Sequence, residues 1–337
     1  MIELIFKKKL LVLSASIILF IFIFGFLGTM YIFTNPDTVY REPAWAPEND
    51  YYCSFPGNRT NDFSTCYQKI RRYEGPSLQH LLGLDENGRD ELSRLAWGVR
   101  HSLEIGIVAS IIITSLAIIF GAIGGYSGGM IDDVSQFFVN IFIVIPVIPI
   151  LIYISYLTQQ SGVVFYLAIP GFKFIFFDIP KITLIDFSLK GHLLIAIIIA
   201  FTNWGWAARS IRSQVLSLKE RNFINMAKVS GMGKFSISMT EVLPNMFSYI
   251  SLVFAISLGI SIASEAGLSV LGIGVPINFP TLGTLLFWAR TLLTPTNYGY
   301  TLHIFLPPGI IITVFFVLLY VIQAEMDEIF NPRLRKG

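Results

Sequence analysis

Six stretches of mostly apolar residues, each near the 20-residue length of a membrane span, constrain this chain more than any other feature. They lie at roughly 10–33, 102–124, 134–157, 191–208, 247–270 and 303–324. Inside a bilayer no water pairs with backbone N–H and C=O groups, so such stretches fold as helices. The chain is therefore read as an all-α membrane protein with six transmembrane helices. Composition agrees, with 54% hydrophobic and 14% charged residues among 337, against about 25% charged in soluble domains. A soluble enzyme, a disordered chain and a coiled coil are excluded. A net charge of +2 supplies no basic field for nucleic acid.

Lys and Arg near the span ends set the orientation. Lys7, Lys8 and Lys9 precede the first span, and Arg333, Arg335 and Lys336 follow the last. Both termini are expected in the cytoplasm, in a multi-pass protein of the cell membrane. Residues 1–33 are then a cytoplasmic tail and a retained first helix. Residues 34–101 are an extracellular loop ending in an amphipathic helix at 88–101, with Leu92, Leu95, Ala96 and Val99 on one face, lying on the outer surface. Residues 102–325 hold five helices, an extracellular insertion at 158–190 whose alternating aromatics suggest a short hairpin, and a cytoplasmic segment at 209–246. Residues 326–337 are a cytoplasmic tail. Cys53 and Cys66, the only cysteines, both fall in the outer loop. They are either a disulfide, worth about 3 kcal/mol in the chain-entropy model, or two free thiols. Asn58 begins an Asn-Arg-Thr glycosylation acceptor, or a chance match to one.

Catalytic constellations are missing from the sequence. Around Gly233-Lys234, a phosphate loop would need Gly where Lys228 stands and Ser or Thr where Phe235 stands. His80, His101, His192 and His303 have no metal-ligand spacing. No metal or other cofactor is expected on this chain, and no enzymatic role. The informative segment is 209–246. Leu216 to Val229 is rich in helix formers, Gly231 and Gly233 interrupt it, and Phe235 to Leu243 reads as a second helix stopped by Pro244. Such an elbow between two spans is either a lever docked on a soluble partner or an inert linker.

That elbow resembles the signature loop of binding-protein-dependent ABC importer permeases, E-A-A-x3-G followed by Leu-Pro. Here it reads Asn225-Met226-Ala227, then Gly231, then Leu243-Pro244. More narrowly, the chain resembles the C-type permease subunit of dipeptide and oligopeptide importers. GLDENGRDELSR (83–94) is similar to that subfamily's G-T-D-x-x-G-R-D-x-L-S-R segment. GGYSGGMID (124–132), WGWAARSIRSQVLSLKERNF (204–223), SEAGLSVLGIGVP (264–276) and NPRLRK (331–336) match further blocks in order. Two departures stand out. Asn225 and Met226 replace the signature Glu and Ala, and Phe137 and Asn140 replace an Arg and an Asp found three residues apart in the third span of many members.

The resemblance implies the type I ABC importer permease fold, with a cytoplasmic coupling-helix elbow. It implies a second homologous permease subunit, two ABC ATPase subunits that bind the ATP and Mg, and an extracellular solute-binding protein. Phe223, Asn225, Met226, Ala227, Lys228, Gly231, Leu243 and Pro244 would form the contact with the ATPases, with Met226 and Ala227 buried there. The solute would be a peptide, with oligosaccharide as the alternative. A stand-alone secondary transporter is the competing class, but the inverted repeats and mid-membrane charges it predicts are not found. Glu265, near the outer end of the fifth span, is a candidate for the pore or the permease interface, or else a structural partner for a basic or backbone group. Asn140 and Asn203 are further candidates for pore or interface.

Overall fold

The computed structural model describes residues 9–32, 51–53, 66–68, 74–85, 87–153, 165–169, 173–174, 177–178, 182–187, 192–276, 279–292 and 298–330. Eight helices carry the architecture: α1 Lys9–Leu27, α2 Glu91–Ala117, α3 Met130–Val144, α4 His192–Leu218, α5 Asn222–Val229, α6 Phe247–Val270, α7 Leu282–Leu292 and α8 Tyr298–Phe330. Among the described residues five helices are long and apolar enough to cross a membrane, and a bent pair, Met130–Val144 with Val147–Tyr153, kinked by 74°, makes six if the pair is one span. The bend follows from Pro146. A proline lacks the N–H a helix needs and pushes the preceding residue out of helical geometry. Accordingly Ile145 is extended, at φ −65° and ψ 126°.

The second crossing differs from its expected layout. No separate surface helix occupies 88–101. Helix starts at Glu91 and runs through a π-turn, Ile118–Ile123, to Gly124–Ser127. The motif at 83–94 explains why it starts there. Gly83 and Gly88, both at positive φ, fold the chain back. Asp85 then accepts the backbone N–H of Asn87 and of Arg89, and bonds Arg89 and, at 2.6 Å, Arg94. Asp90 caps α2 by accepting the Ser93 N–H, and His80 sits 2.8 Å from its other oxygen. Leu92 to Val99 thus face protein, with Arg94 and Glu91 fully buried, rather than a membrane surface.

α2 and α4 form the centre, packed through small residues. A Cβ added at Gly121, in the π-turn that continues α2, would strike the Ala208 carbonyl of α4, and one at Gly106 would lie 2.7 Å from Ile262 of α6. Ile105, Ile113, Ile199 and Ile211 fill the space between, with no exposure. Between the fifth and sixth crossings stands α7, unforeseen by hydropathy because it has only 11 residues. Thr281 and Thr284 cap it reciprocally, each hydroxyl accepting the other's backbone N–H.

Short antiparallel ladders decorate the helices. In the 158–190 insertion, β3 Phe165–Ile169 pairs with β6 Ile182–Phe187, and β4 Lys173–Phe174 pairs inside it with β5 Phe177–Asp178. The expected hairpin is present. Ahead of them in the chain, β1 Tyr51–Cys53 pairs with β2 Cys66–Gln68, with Cys53 and Cys66 opposite each other. Their side chains lie outside the described residues, as do Asn58 and residues 331–337.

Candidate functional site

The segment 209–246 closes one end of the bundle. α4 runs to Leu218, further than the apolar run indicated, and the helix expected over 216–229 is broken at 219–221. No Gly or Pro stands there. Arg221 is extended, at φ −75° and ψ 148°, and the turn is paid for by burial of Ile224 and Ala227 in the main core. α5 ends in a Schellman motif: the Met232 N–H donates to Ala227 O, and the Gly231 N–H to Lys228 O. Gly231 has φ +79°, a conformation costly for any residue with a Cβ. The return limb is helical from Lys234 to Asn245 through a π-turn at Ser238–Val242. Pro244 does not stop it. Pro244 lies in the first turn of Leu243–Asn245, where no N–H is required, and α6 follows at once.

This packing divides the expected contact residues. Ala227 is 8% exposed and packs into its own chain, together with Ile237 and Val242. Phe223 and Leu243 rest half-buried on the same core. Met226 is 71% exposed, Val229 89% and Phe235 64%. Asn225, Lys228 and Pro244 are exposed as well, with Lys228 Nζ 3.4 Å from Asn225 Oδ1. Within this chain Met226 and Ala227 therefore occupy different environments. Neighbouring helix positions point about 100° apart, so one faces the core and the other faces out.

A glycine-rich turn braces the segment. Arg212 donates to both oxygens of Asp132, from Nε and Nη2 at 2.7 Å each. Lys219 lies 5.7 Å from the Tyr126 ring centroid, and Lys234 Nζ donates to Ser127 O at 3.1 Å. Gly125 lets Arg212 approach, since a Cβ there would lie 2.9 Å from its Cγ. Sequence reading missed this brace. Its signal was the Asp in 124–132 and the Arg in 204–223, 80 residues apart.

The other candidates separate. Glu265 is fully buried and accepts hydroxyls from Ser269 (2.7 Å), Thr281 (2.7 Å) and Ser102 (3.2 Å). It is enclosed by its own chain, where it ties α6 to α2 and to the start of α7. Its partners are hydroxyls rather than the basic or backbone group expected. Asn203 donates to Ile199 O and to Thr202 Oγ1 within its own helix. Asn140 is exposed and accepts from Arg209 of α4 at 2.8 Å, so its partner is across the helix pair rather than at position 137. His101 and His192, remote in sequence, stack on Phe279 at 4.1 and 4.8 Å between ring centroids. No cluster able to hold a metal occurs among the described residues.

A family model described as "Binding-protein-dependent transport system inner membrane component" matches residues 117–336. The chain is 25% identical over 332 residues to the dipeptide transport system permease protein DppC of Bacillus subtilis, covering 98% of this chain and 84% of the relative. It is 28% identical over 258 residues to the oligopeptide transport system permease protein OppC of Lactococcus lactis, covering 75% and 76%. It is also 28% identical over 282 residues to the OppC protein of Haemophilus influenzae, covering 83% and 72%.

Proposed function

Since this chain belongs to the family of binding-protein-dependent transport system inner membrane components, we propose that it is one of two permease subunits of an ABC importer for peptides. It is a multi-pass membrane protein and a transport subunit. The second permease would be a homologue, and two ABC ATPases would bind and hydrolyse ATP with Mg. An extracellular solute-binding protein would deliver the peptide. Both termini and the elbow that follows α4 at Leu218 would face the cytoplasm, and the ATPases would dock there. Peptide is favoured over oligosaccharide because the relatives described above are named for dipeptide or oligopeptide transport.

One observation carries the coupling role. Met226, Val229 and Phe235 stand exposed on an elbow that Ile224, Ala227, Ile237 and Val242 anchor in the core. Protruding apolar groups on a rigid frame mark a protein contact. ATP-driven closure of the ATPases would push on this elbow, and α4 and α6 would carry the movement into the bundle. The test is co-expression with the neighbouring permease, ATPase and binding-protein genes, followed by reconstitution. ATP turnover should rise when peptide-loaded binding protein is added. A complex that lacks the ATPases, or whose turnover ignores the loaded binding protein, would sink this reading.

A further inference from the structure

Arg209 and Arg212 leave α4 one turn apart, yet their partners differ in kind. Arg212 meets a carboxylate with two hydrogen bonds. Arg209 meets only the neutral Oδ1 of Asn140, and among the described residues no carboxylate pairs with it. A guanidinium has five N–H donors and a fork that fits a carboxylate with two parallel bonds. One amide oxygen leaves its charge uncompensated.

The depth of the pair makes this consequential. Asn140 lies 11 residues beyond Gly129 at the turn, which is roughly 16 Å along the helix, about half the hydrocarbon thickness. An Arg facing lipid is costly, so such residues face protein or a water-filled path. The face concerned is also open. α3 leaves Phe137, Phe138, Ile141 and Val144 exposed and packs chiefly on α4 and the helical turns before it. Two further polar groups flank the pair. Trp206 Nε1, one turn from Arg209, and Gln136 Nε2, one turn from Asn140, are buried N–H groups without an acceptor. The donors exceed the acceptors, and one donor is cationic. A sugar supplies hydroxyls, which answer the donors but not the charge, whereas a peptide ends in a carboxylate.

We propose that Arg209, oriented by Asn140, is a carboxylate site on the translocation path that receives the C-terminal carboxylate of the transported peptide. The proposal rests on the peptide reading above.

The experiment uses the full transporter in proteoliposomes with its binding protein, and measures uptake of labelled trialanine and of trialanine amide. Arg209→Gln should lower trialanine uptake by about 10-fold or more, the loss of one charge-assisted contact, and move the acid-to-amide ratio toward one. Arg209→Lys, which keeps the charge, should retain more uptake than Arg209→Gln. Asn140→Asp should also lower trialanine uptake, because it supplies an internal carboxylate while leaving assembly intact. An acid-to-amide ratio unchanged in Arg209→Gln overturns the proposal. So does dissociation of the second permease in that variant, which would make the contact an interface between permeases. Wild-type transporter that takes up no trialanine would instead overturn the peptide reading itself.

Discussion

Met226 and Ala227 are adjacent in the signature segment and act in different environments. Ala227 lies against Ile237 and Val242 of its own core, while Met226 projects outward at 71% exposure. The two positions therefore fail differently. Ala227→Asp would bury an unpaired charge, at a cost of several kcal/mol, and should lower the yield and melting temperature of the permease itself. Met226→Asp adds a charge at an exposed site, where substitutions stay within about 0.5 kcal/mol. Its permease should melt as wild type but lose the ATPase subunits on affinity purification. Thermal melting with subunit composition for both variants checks this, and normal complexes from Met226→Asp would remove the apolar elbow from the contact. Legibility varied in the same way. Gly231 was readable as a helix breaker at positive φ, because the requirement is local. The inward face of Ala227 was not, because it depends on where the 219–221 turn aims α5.

At the scale of elements, the brace between the 124–132 turn and the end of α4 joins the second and third crossings to the elbow. Its centre is the two-bond contact of Asp132 with Arg212, flanked by Lys219 on Tyr126 and Lys234 on Ser127. Both partners are only partly exposed, at 28% for the Arg212 side chain and 14% for that of Asp132, so solvent screens the pair incompletely. Hydrogen bonds to charged groups contribute about 1.5–3 kcal/mol each. Asp132→Ala should thus leave an assembled transporter in which ATP turnover persists while uptake falls. The exchange Asp132→Arg with Arg212→Asp should restore part of the uptake that either single change removes. Single variants that retain full uptake would make the brace a bystander. Hydropathy recognised the apolar stretches but gave α4 too short an end, since residues 209–218 mix polar groups with apolar ones. The face those polar groups meet is made by the glycine-rich turn, distant in sequence.

Across the whole molecule, the ladders and the basic ends belong to opposite sides of the proposed topology. β1 and β2 set Cys53 opposite Cys66, a backbone register compatible with one bridge closing the loop. Mass analysis of the native protein without reductant should show a single cross-linked peptide spanning both cysteines, and neither thiol should react with an alkylating reagent. Fusion reporters at Gly337 and within residues 54–65 should report opposite faces of the membrane. Two alkylatable thiols, or reporters on the same face, would contradict the oxidising exterior proposed for this loop.

What depends on composition and on near neighbours is legible in the chain before it folds. These are the apolar stretches, the glycine at positive φ after α5, and the motifs from 124 onward that the family match covers. Each follows from hydrocarbon thickness or from steric limits on one or two residues. Only the tertiary structure decided which polar side chains meet. It enclosed Glu265 among three hydroxyls, gave Arg212 a carboxylate and left Arg209 an amide. In a membrane helix nearly every face is apolar, so hydropathy carries little record of which side turns inward. That choice is made by close helix approach at small residues such as Gly106 and Gly121, and by the pairing that buried polar groups require.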